Sequence, residues 1–552
     1  MQYLNRSVLT CQPARASLRM KGSPRPSPLI TLITFAPVQG FISSSRKLRD
    51  LYGSSLLLSY LAKAIMGDAE QRLGIGAVVS PALVSTSRGT PNLLVIQGDY
   101  RQGHGRDALR QAWFAVLEGC RTWLEQEFQS HFVFDWANAW NQARLHSWEY
   151  FHAQGPTISE ARARMRLAKQ ARNWQAINWT GESSSLSGAE AVVWPEMGAV
   201  IDPRNLEHQQ KIDQLSRRFA ATLATHDQLG EAFISISEQL SLNELVKRLV
   251  TYRPVAERAF AGESFADLGP ENFKDLADAG RVVWFMADGD SIGSYLHRLT
   301  QSGKGDEVTA LRSFSAAMRR WAASLYATVP EAMHNKATVI YAGGDDLLGA
   351  LHDVPGIRPS DPPRKALDPA DLWCWLELFP STIWPRHQQH GLTVSMGLVW
   401  CQGGIPQRQA LAQVRLAEKA AKKAGRNRFA LRLLFRNGQH LEWICPWLLL
   451  PQLRYAFRDR EQRRGEDALW RHLSDDLEWL AGRGALSHAT ALALWQTYFS
   501  DRLPPPASHH SSELTTSNTI HQPLAEWMQA MARTMASLSS SRANDPLLPS
   551  RR

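Results

Sequence analysis

The sequence predicts an α+β protein, with two sheet-bearing domains separated by a helical one and a further helical domain after the second sheet. Three observations carry that expectation. Short apolar runs rich in Val, Ile and Leu gather in two parts of the chain, one from about residue 29 to 98 and one from 281 to 435. Between and after them, apolar residues recur at helical spacing. The chain also has 552 residues, too many for one core and enough for roughly three or four domains.

The run PLITLITFAPVQGF reads as a buried strand ending at Pro37, and Phe41 to Met66 as a helix with a long apolar face. GAVVSPALV and PNLLVIQG supply two more strands. Residues 28–105 are therefore expected to form a first sheet domain of ferredoxin-like size, or its N-terminal part, completed after an insertion. From Asp107 to Phe151 and from 205 to 253 the spacing turns helical, the latter stretch ending in ELVKRLVTY, so 106–277 reads as a helical insertion and linker. RVVWFMADGD, residues 281–290, is a strand whose apolar run ends in two carboxylates. A helix follows, then ATVIYAGGDDLLGAL, a hairpin turning on Gly343-Gly344-Asp345-Asp346, where glycine tolerates positive φ. A helix with Trp373 and Trp375, the strand LTVSMGLVW, a helix from Gln407 to Ala424 and the strand FALRLLF complete residues 278–437. Strand, helix, hairpin, helix, strand, helix, strand is the order of a palm domain. Residues 438–503 read as a C-terminal helical domain. The basic arm 1–27 and the tail 504–552 are expected to be mostly disordered, apart from a short amphipathic piece near Trp527.

Lys plus Arg outnumber Asp plus Glu by 62 to 52, a net charge of +10 that suits a phosphate-rich partner. Cys11, Cys120, Cys374, Cys401 and Cys445 form no CxxC pair, which argues against a disulfide scaffold or structural zinc and for a reducing cytoplasm. No apolar stretch reaches the ~18 residues of a membrane span.

The acids carry the chemistry. Nucleotidyl transfer needs charge neutralised on the attacking and leaving oxygens, which a pair of divalent ions held by carboxylates on adjacent strands supplies. Asp288 and Asp290 end one strand, and Asp345 and Asp346 sit at a hairpin tip that could lie beside it, with Gly289 and Gly293 small enough to admit a nucleotide backbone. Either motif alone is more often an exposed turn with solvated acids; their joint occurrence at strand ends of one sheet points to a site. Magnesium needs only a few such oxygens, because phosphate and water complete its shell. The segment AKKAGRNR is either a helix end capped by Gly425, or a helical face that presents Lys422 and Arg426 to a triphosphate.

Together D-x-D-x-x-G (Asp288 to Gly293), GGDD (Gly343 to Asp346), TVSMG (Thr393 to Gly397) and AKKAGRN (Ala421 to Asn427) resemble the palm of GGDEF-type nucleotide cyclases and of the large subunit of type III CRISPR effector complexes. GGDD favours the CRISPR branch. APVQGFISSSRKLRDLYGSSLLLSYL, residues 36–61, is similar to the first palm of the type III-B, Cmr-type, subunit, and ELVKRL at 244–249 fits that family. The resemblance implies two ferredoxin-like palms, the first degenerate. It implies an RNA-activated enzyme that joins ATP into cyclic oligoadenylates, with guide RNA, target RNA and other effector subunits as partners and no membrane. By the residue match, Asp288, Asp345 and Asp346 hold two magnesium or manganese ions. Gly289, Asp290, Gly293, Gly343, Gly344, Ser395, Lys422 and Arg426 line the nucleotide, with Asp290 either assisting the metals or placing the strand end.

Two departures from the family are expected. The first palm begins near residue 28, leaving no room ahead of it for a histidine-aspartate nuclease domain, and neither His226-Asp227 nor His352-Asp353 reads as a nuclease site. GESSSLSGAE, residues 181–190, carries Ser where many relatives carry zinc-binding Cys, so no zinc is expected. Arg46, Lys47, Arg49 and Asp50 read either as a solvated helix face or as a contact with nucleotide or a partner.

Overall fold

The first apolar run folds as β1 (Ile30–Ala36), which is buried on both faces and stops at Pro37, a residue with no amide to continue a ladder. The structure, a computed structural model, describes residues 29–82, 89–172, 174–175, 177, 179, 181–199, 202, 204–260, 276, 279–301, 307–353, 367–384, 391–499, 503–506, 520 and 522–543. The N-terminal arm and most of the tail lie outside them.

β2 (Val78–Ser80), β3 (Leu94–Gln97) and β4 (Glu149–Gly155) join β1 in an antiparallel sheet of order β2-β3-β1-β4. With the helices Leu48–Leu73 and Gln102–Glu127 in the connections, this is the β-α-β-β-α-β ferredoxin-like arrangement. β4 is the completing strand. It lies at the end of the stretch expected to be helical, and its side chains alternate between buried and half-buried, the period of a strand.

The second sheet has the order β10-β9-β8-β5-β7-β6. Its strands are β5 (Arg281–Gly289), β6 (Ala337–Gly343), β7 (Asp346–His352), β8 (Val394–Gln402), β9 (Arg428–Leu434) and β10 (His440–Pro446). The four strands β8-β5-β7-β6 repeat the ferredoxin-like order, and β9 is added parallel to β8 through the helix Gln407–Lys423. β10 corrects the helical reading that starts at residue 438. Asn437-Gly438 closes a tight turn with Gly438 at φ 82°, and the chain doubles back along β9.

After β10 come the helices Leu449–Ala456, Trp470–Gly482 and His488–Phe499. The tail then yields a longer helix than expected, Leu524–Ala543. Its Trp527, Met528, Met531, Ala532, Met535 and Leu538 are buried, and the Trp527 ring N–H donates to the Ile444 carbonyl of β10 at 2.7 Å.

The segment resembling the first-palm signature and the ELVKRL segment meet. At Gly53 a Cβ would fall 1.8 Å from the Lys247 carbonyl oxygen, so only glycine lets the Leu48–Leu73 and Leu242–Leu249 helices approach this closely. Around that contact lies a charged core. The Arg248 guanidinium donates to both carboxylate oxygens of Asp50 at 2.6 and 3.1 Å and to both of Glu238 at 2.9 and 3.0 Å. Lys247 donates to the carbonyls of Phe41 and Ser44. Arg49, 2% exposed, and Asp50, fully buried, therefore correct the solvated-face reading, whereas Arg46 remains at the surface.

Candidate active site

β5 runs between β7 and β8, with Asp288 opposite Ser395. The two carboxylates at its end then part. Asp288 lines a cavity of about 540 Å³ between the two sheet domains, and so do Asp346, Lys422, Lys419, Arg415 and Glu418. Phe35 of β1, Phe151 of β4 and Lys169 form part of the facing wall. Asp290 turns into the protein, 4% exposed. It accepts from the Thr393 hydroxyl at 2.8 Å, the Ser395 hydroxyl at 2.7 Å and the Asn427 amide at 2.9 Å.

Of the two roles expected for Asp290, these bonds fit placing the strand end, and Ser395 joins it there rather than at a nucleotide. Both are buried in a knot that ties the end of β5 to β8 and to the loop after the Gln407–Lys423 helix. Asp290→Ala leaves three donors without their acceptor and is expected to destabilise the protein by about 2–4 kcal/mol. Thermal denaturation reads the loss, and hydrogen exchange at the Asn427 amide reads its location; an unchanged exchange rate there would contradict the assigned role.

The hairpin between β6 and β7 pairs Gly343 with Asp346 across a two-residue turn, with Gly344 at φ 66°. Gly343 is needed for a close approach: a Cβ there would lie 2.3 Å from the Tyr341 hydroxyl and 2.5 Å from the Gly89 carbonyl of the first domain. Gly289 makes room for the hairpin, since its Cβ would come 3.0 Å from Asp345 Cβ. The 288 strand end and the 345 turn are therefore adjacent, as the motifs require. Asp345 rests against Gly289, whereas Asp346 opens into the cavity with Asp288. Gly293 has open space around its Cα.

Burial, and the charge of Asp345 after it, raise the proton affinity of Asp346, and burial raises that of Asp345. Lys422 ion-pairs with Asp288 and, at 2.6 Å, with Glu418. Burial and the nearby Arg426 charge lower its pKa. Arg426 does not share a helical face with Lys422. The helix ends at Lys423, and Gly425, Arg426 and Asn427 all take positive φ, so the chain has already turned when Arg426 is reached.

Glu418, whose pKa burial and then Asp346 push up to about 7, was missed by motif reading. Arg415, Lys419 and Lys422 recur at helical spacing with it, and that period was the available signal.

Residues 281–430 match the family model of the Cas10/Cmr2 second palm domain, and residues 30–115 match that of the N-terminal part of CRISPR-associated protein Cmr2. Residues 281–430 are thus similar to a Cas10/Cmr2 second palm, and the two matched segments together span less than half of the chain. Type III-B Cmr-beta bound to cognate target RNA shares its fold with a TM-score of 0.54 at 11% identity, over 93% of this chain and 83% of that one. The apo state of Cmr-beta gives 0.51 at 11% identity, over 92% and 82%. The Csm1-Csm4 cassette in complex with cA4 gives 0.45 at 16% identity, over 92% and 69%. No curated protein matches the chain at a significant level.

Among the described residues, no three His, Cys, Asp or Glu side chains converge as a metal-binding group. Two carboxylates facing one cavity, Asp288 and Asp346, still fit a magnesium site whose remaining ligands are phosphate and water. Around this site, the His-Asp pairs make other contacts. His226 pairs with Glu127 at 3.0 Å, His352 meets the Thr338 hydroxyl at 2.8 Å, and Asp353 accepts from the Gly280 amide at 3.0 Å. In the serine-rich loop, Ser184 donates to Glu244 at 3.1 Å. No described helix is long and apolar enough to cross a membrane.

Proposed function

We propose that the protein is the RNA-activated nucleotidyl cyclase of a type III-B effector complex, converting ATP into cyclic oligoadenylates with release of pyrophosphate. One observation carries this reading: Asp288 and Asp346 share a cavity with four cationic side chains, Lys169, Arg415, Lys419 and Lys422, at the junction of the two sheet domains. Two acids suit cations that bridge to phosphate, and the surrounding positive charge suits the triphosphate itself.

Asp288 and Asp346, with Asp345 next to them in the turn, would hold two magnesium or manganese ions, which supply Lewis-acid charge to the reacting phosphoryl oxygens when bound. The chain's own residues position the substrate. Lys422, held by Asp288 and Glu418, is within the same cavity as the incoming phosphates and can transfer its hydrogen bonds to them. The 3′-oxygen of one nucleotide attacks the α-phosphorus of the next as the bond to the bridging oxygen of the β-phosphate breaks. Pyrophosphate leaves and the hydroxyl proton passes to solvent. Catalysis rests on positioning and electrostatics. Guide and target RNA, with neighbouring effector subunits, are the proposed partners, and no nuclease role is proposed for the His-Asp pairs.

The test is to incubate the assembled complex, with and without target RNA, with labelled ATP or GTP and magnesium or manganese. Cyclic adenylates are expected only with ATP and target RNA, and none from the Asp345→Ala, Asp346→Ala double variant. Product from GTP without RNA would replace this reading with a stand-alone cyclase, and no product under any condition would leave a scaffold.

A further inference from the structure

We propose that a second cleft, built on the first sheet domain, binds the phosphodiester backbone of single-stranded RNA. Its volume is about 450 Å³, and Arg106, Arg110, Arg144 and Arg172 line it. Arg106 and Arg110 stand one turn apart on the Gln102–Glu127 helix, Arg144 comes from the helix Ala137–His146, and Arg172 follows the helix Ile158–Gln170. All four are exposed. An adjoining hollow of about 440 Å³ shares Arg110 and Arg144, so the basic lining continues past the mouth of the cleft.

The balance of groups selects an anion. Glu149 is the one acid among the residues lining the cleft, and Arg172 already neutralises it through two hydrogen bonds of 3.1 and 2.7 Å. Three further lining residues carry buried polar atoms that find no hydrogen-bond partner among the described residues: the ring nitrogens of Trp148 and Trp174 and the Tyr150 hydroxyl. Such atoms are costly unless something completes them. Even with Asp107 lining the adjoining hollow, positive charge exceeds negative in both, and that excess faces whatever enters.

Aromatic residues decide between classes of anion. Trp148 and Trp174, both half-buried, lie among the arginines, and the Arg144 guanidinium lies 3.9 Å above the centre of the Phe114 ring, whereas Trp113 belongs to the core. Cations along a groove with aromatic rings between them is the pattern that tracks a single strand of nucleic acid, whereas an acidic peptide would gain nothing from the rings. The cleft also adjoins the cavity of the candidate active site, because Phe151 of β4 lines both. RNA held here rests against a wall of that cavity.

Fluorescence anisotropy on the full chain, with a labelled single-stranded RNA of about a dozen nucleotides and no ATP, tests the site without reference to cyclase activity. The double variant Arg106→Glu, Arg110→Glu is expected to bind at least ~10-fold more weakly. Its slope of log affinity against log salt should fall by about 1.4, from two lost phosphate contacts. Both side chains are exposed, so circular dichroism should show an unchanged fold; Arg144→Ala is the second variant and should weaken binding in the same direction. Unaltered affinity and salt slope in both variants would overturn the proposal, as would a wild-type chain that binds an acidic peptide but no RNA.

Discussion

Asp346→Asn is expected to lower cyclic adenylate formation by about 1000-fold, equivalent to ~4 kcal/mol of lost transition-state stabilisation. The substitution keeps the shape of the side chain and removes its charge, so the loss reads electrostatics rather than packing. Asp346 opens into the cavity, one residue past the turn that Gly344 permits. A neutral amide there would offer a weak dipole where a cation bridging to phosphate needs a full charge.

The same variant should be more stable than the parent. Asp346 is exposed towards the cavity, yet desolvation of its carboxyl there and then the charge of Asp345 raise its pKa, so its ionised form is disfavoured in the folded state. The sign follows from linkage. Above the unfolded carboxylate value of about 4 the unfolded chain releases this proton more readily than the folded one, and stability falls as pH rises toward the folded value. Asparagine has no proton to lose. Melting temperature should therefore exceed that of the parent near pH 8 and converge with it near pH 4. An inactive variant that melted lower at both pH values would show that Asp346 supports the hairpin, and the enzymatic reading would lose its central residue.

Much of the fold was legible because β1, β5, β6 and β8 are short apolar runs bounded by Pro, Gly or carboxylates, and their shortness and β-branched content favour a largely buried strand over a helix segment. β4 and β10 were missed for a physical reason. Their half-buried residues, such as His152 and Glu442, carry polar side chains that dilute the apolar signal, although Asn437-Gly438 announced the turn before β10. At the site, the types of residue were readable and their directions were not. Asp288 and Asp290 are two apart, yet the strand ends at Gly289, so the second carboxylate swings into the Thr393, Ser395 and Asn427 knot. Arg426 is displaced by three consecutive left-handed residues after the helix, a backbone event that a helical wheel does not register. The pairing of Asp50 with Arg248, 198 residues apart, had no local trace at all.

Arg248→Met is expected to destabilise the protein by about 3–5 kcal/mol, because it strands two buried carboxylates without their shared partner. Arg248 and Asp50 are fully buried and Glu238 is 1% exposed. Burial alone would raise the pKa of both acids; the charge and hydrogen bonds of Arg248 more than offset it and hold both below the usual carboxylate range. In the parent this contribution is present above the unfolded pKa of about 4 and is lost as pH falls through the lowered folded values. In the variant Lys247 and the backbone amides of Lys47 and Ser235 still favour the ionised acids, but the largest offset to burial is gone. The difference in urea midpoint between variant and parent should accordingly be largest near neutral pH and shrink as pH falls below about 4. A difference that stayed constant with pH would mean that Arg248 acts through packing alone. Arg46→Ala is the contrasting case: Arg46 is exposed and meets Glu238 only at 3.8 Å, so its loss should change stability by less than ~1 kcal/mol. The charged core also reaches the active site. Next to Arg248, Lys247 holds the carbonyls of Phe41 and Ser44, in the segment whose Val38, Gln39 and Ile42 line the cavity, so loosening the core should raise the KM for ATP as well as lower stability.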